Sequence, residues 1–449
     1  MTERSNADWL ITNAELVSEG RRFAADLRVR DGRIERIAPS LAARADERVL
    51  DARGRWLLPG MIDDQVHFRE PGLTHKADIE SESRACLAGG ITSYMEMPNT
   101  RPPATDRATL EAKYARAAEV SRVNYAFYLG ATNDNLAELR ALDPRAAPGI
   151  KVFMGASTGN MLVDDPATLD AIFRDAPVPI ITHCEDTPTI AANEAEARAI
   201  WGDDIPAAQH PLIRSREACL KSTHLAIELA RKHGTRLHVL HVSTADECAL
   251  FAPGPLAGKR ITAETCVHFL HFTDADYARL DHRIKCNPAI KTAADRDAIV
   301  RALADGRLDV LATDHAPHLA AEKAEPYVRA PSGLPLVQYA LQCALERVFD
   351  GELTLERVVD AACHAPATLF GVHERGFLRE GYRADLVLVD PHAPHAVTAA
   401  DVLSKCGWSP FEGTTFRASI AATFVNGRLG WHEGRLDDAI RGERLEFAR

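Results

Sequence analysis

Two side chains that could share one metal site stand two residues apart near the start of the sequence. In the stretch GMIDDQVHFREPG, residues 60–72, one valine separates Gln65 from His67 at what reads as the end of a strand. Residues i and i+2 of a strand point to the same face, so both side chains are expected to reach one site. Two histidines at this spacing would bind a metal ion. Why the first position holds a glutamine depends on what the rest of the chain supplies.

Further polar side chains stand at the ends of apolar runs along the chain. A single histidine of this kind is ordinarily a hydrogen-bonded structural residue, but recurrence at several strand ends indicates one site. Imidazole and carboxylate groups are zinc ligands, and zinc lowers the pKa of bound water from about 15.7 to about 7, so the set predicts metal-assisted hydrolysis. The residues are Arg69 in HFRE, Asn99 after YMEMP, Lys151 in GIKVFMG, His183 in ITHCED, His241 in HVLHVS, and Asp314, His315 and His318 in LATDHAPH.

Lys151 is a lone charge inside the apolar run IKVFM. Burial would lower the pKa of its side chain and favour the neutral amine, which can add carbon dioxide. The resulting carbamate is an anionic oxygen ligand that can bridge two metal ions. The alternative is an amine that extends to solvent, which is the default for a lysine without such companions.

The elements that would position these residues alternate between strands and helices. Apolar runs alternate with amphipathic stretches such as REACLKSTHLAIELARKHG and AADRDAIVRALADG. Alternation over about 300 residues predicts an α/β fold with a parallel sheet, and the length favours a closed (β/α)8 barrel of TIM type, with its active site at the carboxyl ends of the strands. No dinucleotide or P-loop glycine motif follows a strand. The strand-like runs are ITSYMEMPN, GIKVFMG, VPIITHCED, RLHVLHVS, ITAETCVHFL and LDVLATDHAPH.

Both ends of the chain read as short strands joined by polar turns. The dipeptides Asp31-Gly32 and Asn426-Gly427 are signals for two-residue hairpin turns. We therefore expect residues 1–57 and 377–449 to form one small β-sandwich domain around a catalytic barrel of residues 58–376.

Composition excludes several classes of function. The chain has 449 residues, 46% of them hydrophobic and 26% charged, with a net charge of -11. That balance is typical of a soluble globular enzyme and argues against nucleic-acid binding, which needs a basic patch. The nine cysteines include no CxxC pair, which indicates a reducing compartment, and there is no apolar signal segment or run of transmembrane length. A cytoplasmic location without membrane association is expected.

The motifs together resemble those of dihydroorotases, within the amidohydrolase superfamily. The resemblance extends from the opening β segment through the barrel to GYRADLVLVDP and SPFEG near the C-terminus. It implies a barrel of the amidohydrolase kind, one or two zinc ions per chain, a homodimer, and reversible conversion of N-carbamoyl-L-aspartate into L-dihydroorotate. The motifs that carry it are PGMIDDQVHFREPG, MEMPNT, GIKVFMG, THCED, HVS, KCNPAIK and DVLATDHAPH.

The resemblance also implies a role for each matching residue. It makes His67 a ligand of the first metal, Lys151 a carboxylated ligand that bridges both metals, and His183 and His241 ligands of the second metal. Asp314 becomes both a ligand and the proton shuttle. The substrate-binding residues become Arg69, Asn99 and His318 for the carboxylate, Asn287 as a further contact, and the stretch PSGLPL, 331–336, beside the pyrimidine ring.

Gln65 departs from this pattern, since the family usually has a histidine there. A neutral amide oxygen is a much poorer zinc ligand than imidazole, so the first metal site is expected to be weak. Alternatively, Gln65 hydrogen-bonds His67 or water at the site, or Asp63 or Asp64 replaces the missing ligand. Competing functions are an allantoinase or dihydropyrimidinase, which could share the metal residues, and a catalytically silent homologue that serves as a structural partner.

Overall fold

The computed structural model describes residues 8–155 and 159–449. The first seven residues of the predicted terminal domain lie outside these ranges. The strands are β1 (Trp9–Ser18), β2 (Arg21–Arg30), β3 (Arg33–Ala38), β4 (Arg48–Asp51), β5 (Trp56–Pro59), β6 (Met61–Val66), β7 (Ile91–Glu96), β8 (Asn124–Phe127), β9 (Leu129–Gly130), β10 (Ile150–Phe153), β11 (Ile180–His183), β12 (Leu237–Val239), β13 (Ile261–Cys266), β14 (Val310–Ala312), β15 (Leu386–Asp390), β16 (His395–Ala396), β17 (Thr415–Phe416), β18 (Ser419–Val425), β19 (Arg428–His432) and β20 (Arg435–Leu436).

Helices separate most of the central strands. The α-helices are α1 (Ile79–Ala88), α2 (Arg107–Val120), α3 (Leu136–Arg140), α4 (Pro166–Asp175), α5 (Thr187–Trp201), α6 (His210–Ile213), α7 (Arg216–His233), α8 (Ala245–Cys248), α9 (Val267–His271), α10 (Tyr277–Leu280), α11 (Ala293–Ala304), α12 (Ala320–Lys323), α13 (Ala340–Phe349), α14 (Leu355–Val359) and α15 (Ala365–Phe370). Single 3₁₀ turns lie at Gly159–Met161, Ala207–Gln209, Asp274–Asp276, Asp281–Ile284, Val337–Tyr339 and Ala399–Asp401, and a π-helical turn lies at Asp360–His364.

The central strands form the predicted eight-stranded parallel barrel. Strands β6, β7 and β8 pair in one sheet and β9 to β14 in another, while Tyr128 alone separates β8 from β9, so these two pieces act as one barrel strand. The barrel closes where the His67 amide donates to the His315 carbonyl at 2.7 Å. The β8–β9 strand was missing from the runs read in the sequence, because its two short pieces carry no long apolar signal.

The helices follow the start and stop signals of the sequence. Helix α7 begins after Ser215, whose side chain accepts a hydrogen bond from the amide of Ala218, and it ends at Gly234 with φ of 67°. Arg231 and Lys232 occupy its last turn, where cations favour the helix dipole. Its buried face of small residues packs against the barrel, so the neighbouring strands can present their polar ends at one rim.

The terminal strands form one sheet of nine strands in the order β20-β19-β18-β15-β5-β1-β2-β3, with β4 paired to β1. Both predicted hairpin turns are present, with positive φ at Asp31, Gly32, Asn426 and Gly427. Three strand spacings, about 14 Å, separate β1 from β18 along the sheet, yet the rings of Trp9 and Phe424 on these strands are 5.5 Å apart. The sheet therefore curls over on itself, and its two halves enclose a core as the layers of a sandwich do.

The chain passes from the terminal sheet into the barrel at Gly60 and re-enters the sheet at β15. The predicted domain limits remain a prediction. The last residues return to the barrel, since Leu445 and Glu443 form backbone hydrogen bonds with Tyr125 on β8. The C-terminal segment thus contacts both parts of the molecule.

Two further features concern the cysteines and the helices. Each of the nine cysteines lies in the described part of the chain as a buried free thiol. Within residues 8–155 and 159–449, no helix combines the length and apolar character that crossing a membrane requires.

Candidate active site

A cavity of about 90 Å³ opens at the carboxyl ends of the barrel strands. Every site residue predicted from the sequence lines it except His315 and His318, and the structure thus brings together side chains from six barrel strands and the loops that follow them. The lining residues are Gln65, His67, Arg69, Asn99, Lys151, Phe153, His183, His241, Asn287, Asp314, Ala316, Ser332 and Gly333. A larger cavity of about 820 Å³ lies elsewhere, beside Arg107, Glu111 and Arg449, and it lacks such a set of metal-ligating groups.

His183 and His241 form one half of a metal-ligand set. Nε2 of His183 lies 3.0 Å from Oε2 of Glu185 and donates to it, which leaves Nδ1 as an acceptor 2.9 Å from Nε2 of His241. The buried Nδ1 of His241 has no hydrogen-bond partner among the described residues. Burial lowers the pKa of both imidazoles, in His183 against the opposing hydrogen bond to Glu185. Neutral rings with nitrogen atoms this close are suited to bind one metal ion.

His67 and Asp314 form the other half. Nδ1 of His67 donates to Oδ1 of Asn99 at 2.7 Å, so Nε2 presents a lone pair to Oδ1 of Asp314 at 3.1 Å. Burial opposes ionisation of Asp314, but when Nε2 of His67 carries a proton instead of facing a metal ion, its hydrogen bond and charge outweigh burial and lower the pKa of Asp314 to about 2. A lone pair that faces a carboxylate oxygen calls for a cation between them, so these residues also fit a metal ion.

Lys151 lies between the two halves and is 1% exposed. Its Nζ is 4.6 Å from the ring centroid of Phe153, and no carboxylate of the described residues forms an ion pair with it. Burial lowers the pKa of Lys151 to about 8, although the charge of Asp314 opposes this shift. The amine does not reach solvent, which removes the ordinary explanation for a lysine in an apolar strand.

Gln65 points into the cavity on the same side as His67, as the spacing predicts. Its Nε2 donates to Oδ1 of Asp314 at 3.1 Å, and its Oε1 lies 3.8 Å from the Cys266 thiol. The amide is therefore used for hydrogen bonds within the ligand set. This geometry favours the hydrogen-bonding alternative, with Asp314 as the partner in place of His67.

Neither neighbouring aspartate replaces the missing histidine. Asp63 accepts hydrogen bonds from the Thr313 hydroxyl at 2.6 Å and from the amides of Gln65 and Thr313. Asp64 faces His238 in the barrel interior, away from the cavity. Pairing of β6 with β7 is irregular between Asp63 and Val66, which lets successive side chains depart from strict alternation.

The cation Arg69 lines the cavity and His318 lies against it. The guanidinium of Arg69 donates from Nε to the Pro317 carbonyl at 3.1 Å, and its Nη2 lies 2.9 Å from Nε2 of His318. Nζ of Lys76 donates to Nδ1 of His318 at 3.0 Å. Burial, followed by the charge of Arg69, lowers the pKa of His318 well below its usual value. His318 thus contacts Arg69 from behind, as a neutral ring, and does not line the cavity.

Ser332 and Gly333, within the segment 331–336, form another wall of the cavity. Gly333 lines the cavity with φ of 144°, and a Cβ there would lie 2.4 Å from the Ala316 carbonyl oxygen, so a side chain is excluded. His315 holds the segment in place, because its Nδ1 accepts a hydrogen bond from the Leu336 amide at 2.8 Å. Sequence reasoning placed His315 with the polar residues of this site, but its role here is structural.

Backbone strain concentrates at the cavity. Arg69, His241 and Asp314 have φ of 69°, 41° and 52°, in the left-handed region that non-glycine residues rarely adopt. Such conformations cost of order 1–3 kcal/mol each and persist where the surrounding structure enforces them. Each of the three lies two or three residues beyond the end of a barrel strand, so the strain turns its side chain over the rim.

The sequence reasoning missed two supporting residues. Glu185 accepts hydrogen bonds from His183 and from Arg214, the latter at 2.6 Å, and it fixes which nitrogen of His183 faces the cavity. Its signal was the THCED motif itself, where a carboxylate follows the histidine at i+2. Lys76 offered no such signal, because it reaches His318 from a loop remote in sequence.

Comparison with known proteins identifies the family. The model of the amidohydrolase family matches residues 56–430. The chain belongs to the amidohydrolase family. Metal dependence is typical of this family, and this amidohydrolase is an enzyme that acts on a small-molecule substrate.

The names of its relatives indicate enzymes that act on cyclic amides. A dihydroorotase from Halobacterium salinarum is 37% identical, over 94% of this chain and 97% of that protein. An allantoinase from Rubrobacter xylanophilus is 33% identical, over 98% of this chain and 97% of that protein. The L-hydantoinase (dihydropyrimidinase) from Arthrobacter aurescens superposes with a TM-score of 0.92 at 29% identity, covering 98% of this chain and 100% of that one. This amidohydrolase is a cyclic amide hydrolase.

Proposed function

We propose that this amidohydrolase is a dihydroorotase, which interconverts N-carbamoyl-L-aspartate and L-dihydroorotate. The observation that carries the proposal is the guanidinium of Arg69, which is buried at the cavity and forms no ion pair with any described residue. A buried cation without a partner is costly, and an anionic ligand removes that cost. Dihydroorotate carries a carboxylate, whereas hydantoin, dihydrouracil and allantoin rings are uncharged.

Two amides beside Arg69 extend this anion site. Asn99 uses its carbonyl oxygen for His67, so its NH2 group is available to a ligand. Asn287 lines the cavity, and its buried Oδ1 has no partner among the described residues. We assign Arg69 and Asn99 to the substrate carboxylate and Asn287 to a polar group of the ring. The Pro317 carbonyl keeps Arg69 in position. Direct contact of His318 with the carboxylate remains a prediction.

The same cavity offers ligands for zinc. His183 and His241 would hold one ion, His67 would hold a second more weakly, and Asp314 and a carboxylated Lys151 would contribute oxygen ligands to the set. Zinc, when bound, supplies a Lewis acid for the ring carbonyl and lowers the pKa of water. The pKa of Lys151 at about 8 supports the carbamate, because a tenth or so of the amine is neutral near pH 7.

The protein's own groups move the proton. Asp314 is ionised at neutral pH, since its pKa is about 2, and it can accept the proton of the attacking water. In hydrolysis that proton passes to the ring nitrogen as the C–N bond breaks. In ring closure the steps run in reverse: the proton leaves the ureido nitrogen, and water departs from the carboxyl carbon. Gln65 holds Oδ1 of Asp314 through its hydrogen bond.

A substrate panel tests the proposal. The purified, zinc-supplemented enzyme is assayed with N-carbamoyl-L-aspartate, L-dihydroorotate, dihydrouracil, hydantoin and allantoin. We expect ring closure to be favoured at mildly acidic pH, because it consumes one proton, and far lower rates on the three neutral rings. Equal or higher rates on allantoin or dihydrouracil would assign the enzyme to those relatives instead. No activity on any ring, with metal bound, would establish the silent homologue.

The remaining expectations stand as proposals beside this function. We propose a homodimer in the cytoplasm, with a terminal domain of residues 1–57 and 377–449 and a catalytic domain of residues 58–376. The dense packing of the last residues against β8 supports a fixed arrangement of terminal segment and barrel.

A further inference from the structure

A second group of metal-ligating side chains lies deeper in the barrel than the cavity. It consists of Asp64 on β6, His238 on β12 and Glu264 on β13, which we call the interior triad. All three side chains are fully buried. Strand β6 is not a neighbour of β12 or β13, so the contacts cross the inside of the barrel.

Hydrogen bonds fix the free nitrogen of His238. Its Nδ1 lies 2.9 Å from Oγ1 of Thr262, and that hydroxyl donates its own hydrogen to the Leu237 carbonyl at 3.1 Å. Nδ1 must therefore be the donor to Thr262. Nε2 then faces the two carboxylates, 3.2 Å from Oε2 of Glu264 and 3.4 Å from Oδ2 of Asp64. Burial opposes a charge on this ring, but the carboxylates of Asp64 and Glu264 outweigh burial and raise the pKa of His238 to about 9, so Nε2 carries a proton unless a metal ion takes its place.

Asp64 is the residue of the interior triad whose carboxylate lacks hydrogen-bond partners. Neither of its carboxylate oxygens has a hydrogen-bond partner among the described residues, although the side chain is fully buried. Buried polar groups are almost always hydrogen-bonded, and a buried carboxylate without such bonds is costly unless a cation binds it. The unpartnered oxygens face His238, which makes them an independent sign of a missing ligand.

The separations suit a divalent transition metal. Zinc binds imidazole and carboxylate at about 2.0–2.2 Å, so two ligand atoms of a tetrahedral site lie about 3.3–3.5 Å apart. The two separations from Nε2 of His238 are close to that spacing, and all three ligand atoms lie within 4.8 Å of one another. Two carboxylates with one imidazole also match the charge of a divalent ion, which the low dielectric of the interior favours.

We propose that Asp64, His238 and Glu264 bind a structural divalent transition metal beneath the catalytic cavity. The ion would tie β6 to β12 and β13 across the barrel. It would also support the site above, because Oε1 of Glu264 accepts a hydrogen bond from the backbone amide of His241 at 3.3 Å. The proposal does not depend on the identity of the substrate.

Anomalous scattering from crystals of the wild-type protein tests this site directly. Protein from zinc-supplemented medium, purified without chelator, is measured on both sides of the zinc absorption edge. We expect a peak among the three side chains, separate from any peak in the cavity. A map with cavity peaks and nothing at the interior triad overturns the proposal, and it means that a proton, not a metal, compensates the carboxylates.

A matched pair of variants gives a second measurement. Asp64→Asn should lose one zinc per chain and the interior peak, because the amide replaces an anionic ligand. Asp63→Asn changes the neighbouring buried aspartate, which Thr313 already satisfies, and should keep the interior peak. An unchanged interior peak in Asp64→Asn would refute the assignment. If Asp64→Asn does not fold, the wild-type map still decides.

Discussion

The cavity group and the interior triad use the same kinds of side chain in different surroundings. The cavity group lies at the rim, where Arg69, His241 and Asp314 adopt strained backbone conformations that turn their side chains toward open space. The interior triad lies within the strands below, between the Tyr128 hydroxyl, which donates to the Asp64 carbonyl at 3.0 Å, and the ring of Phe370. No solvent reaches it.

This difference separates two uses of one ligand chemistry. Catalytic metal sites keep a position open for water or substrate, whereas structural sites are closed by protein ligands. Only the cavity group has the open space, the free amides and the buried cation that a substrate needs. The same residue types one layer lower can hold an ion but cannot present it to a substrate.

The largest expected effect comes from removing the proton carrier of the cavity. Asp314→Asn should lower kcat by about 10²–10⁴-fold, because the amide can neither accept a proton nor supply an anionic ligand. Steady-state rates of dihydroorotate hydrolysis measure the effect. Asp309→Asn is the matched control at the other end of the same strand, where Asp309 pairs with Lys259 at 2.8 Å. Equal losses in both variants would show that Asp314 has only a structural role.

The contrast also explains what the sequence could predict. Gln65, His183 and Asp314 could be found because each stands at or just beyond the end of a recognisable strand, and barrel topology gathers strand ends at one rim. Lys151 could be found because it is a lone charge within an apolar strand. The eightfold barrel follows from the same alternation. The hairpins at Asp31-Gly32 and Asn426-Gly427 could be found because their turns require positive φ.

Other features depend on contacts that local sequence does not encode. The interior triad was missed because Asp64, His238 and Glu264 stand within strands, where they read as ordinary barrel residues, and they meet only across the closed barrel. The curl that brings Trp9 to Phe424 depends on the whole terminal sheet. Lys76 was missed because its contact with His318 joins two loops distant in sequence.

The rate at which Lys151 forms a carbamate should rise with pH, and a lysine held in an ion pair should not show the same rise. Burial lowers its pKa to about 8, so the neutral amine increases about tenfold per pH unit below pH 8 and levels off above it. At equal concentrations of dissolved carbon dioxide, reactivation of metal-free, carbonate-free enzyme by zinc should therefore be about fiftyfold faster at pH 8 than at pH 6.

Lys113 is the internal control for this prediction. It is equally buried, but Glu96 holds its ammonium group at 2.6 Å. Chemical trapping of carbamates followed by mass spectrometry should label Lys151 and leave Lys113 unlabelled. Label on both lysines, or reactivation without bicarbonate, would rule out a specific carbamate at the cavity.

Replacing the guanidinium of Arg69 should have a smaller effect on activity, and only with an anionic substrate. Arg69→Lys replaces a planar bidentate donor with a point charge, at a cost of about 1.5–3 kcal/mol. We expect KM for dihydroorotate to rise about ten- to a hundredfold, with zinc content unchanged and with no fall in any residual rate on dihydrouracil. A KM that does not change would show that Arg69 does not touch the substrate.

The smallest effect on rate, and the sharpest on metal content, is expected at Gln65. Its amide donates to Asp314 and its oxygen faces the Cys266 thiol, so the wild-type cavity should hold nearer one tightly bound zinc than two, retained by His183 and His241. Gln65→His adds an imidazole on the face of His67 and should raise the cavity content toward two.

The measurement is an anomalous map that separates zinc peaks in the cavity from a peak at the interior triad, because the total zinc content counts both sites. The rate need not rise, since the same substitution removes a hydrogen bond from Asp314. Two strong cavity peaks in the wild type would mean that Gln65 rotates to coordinate through its oxygen, and the expected contrast between an incomplete upper site and a complete lower one would disappear.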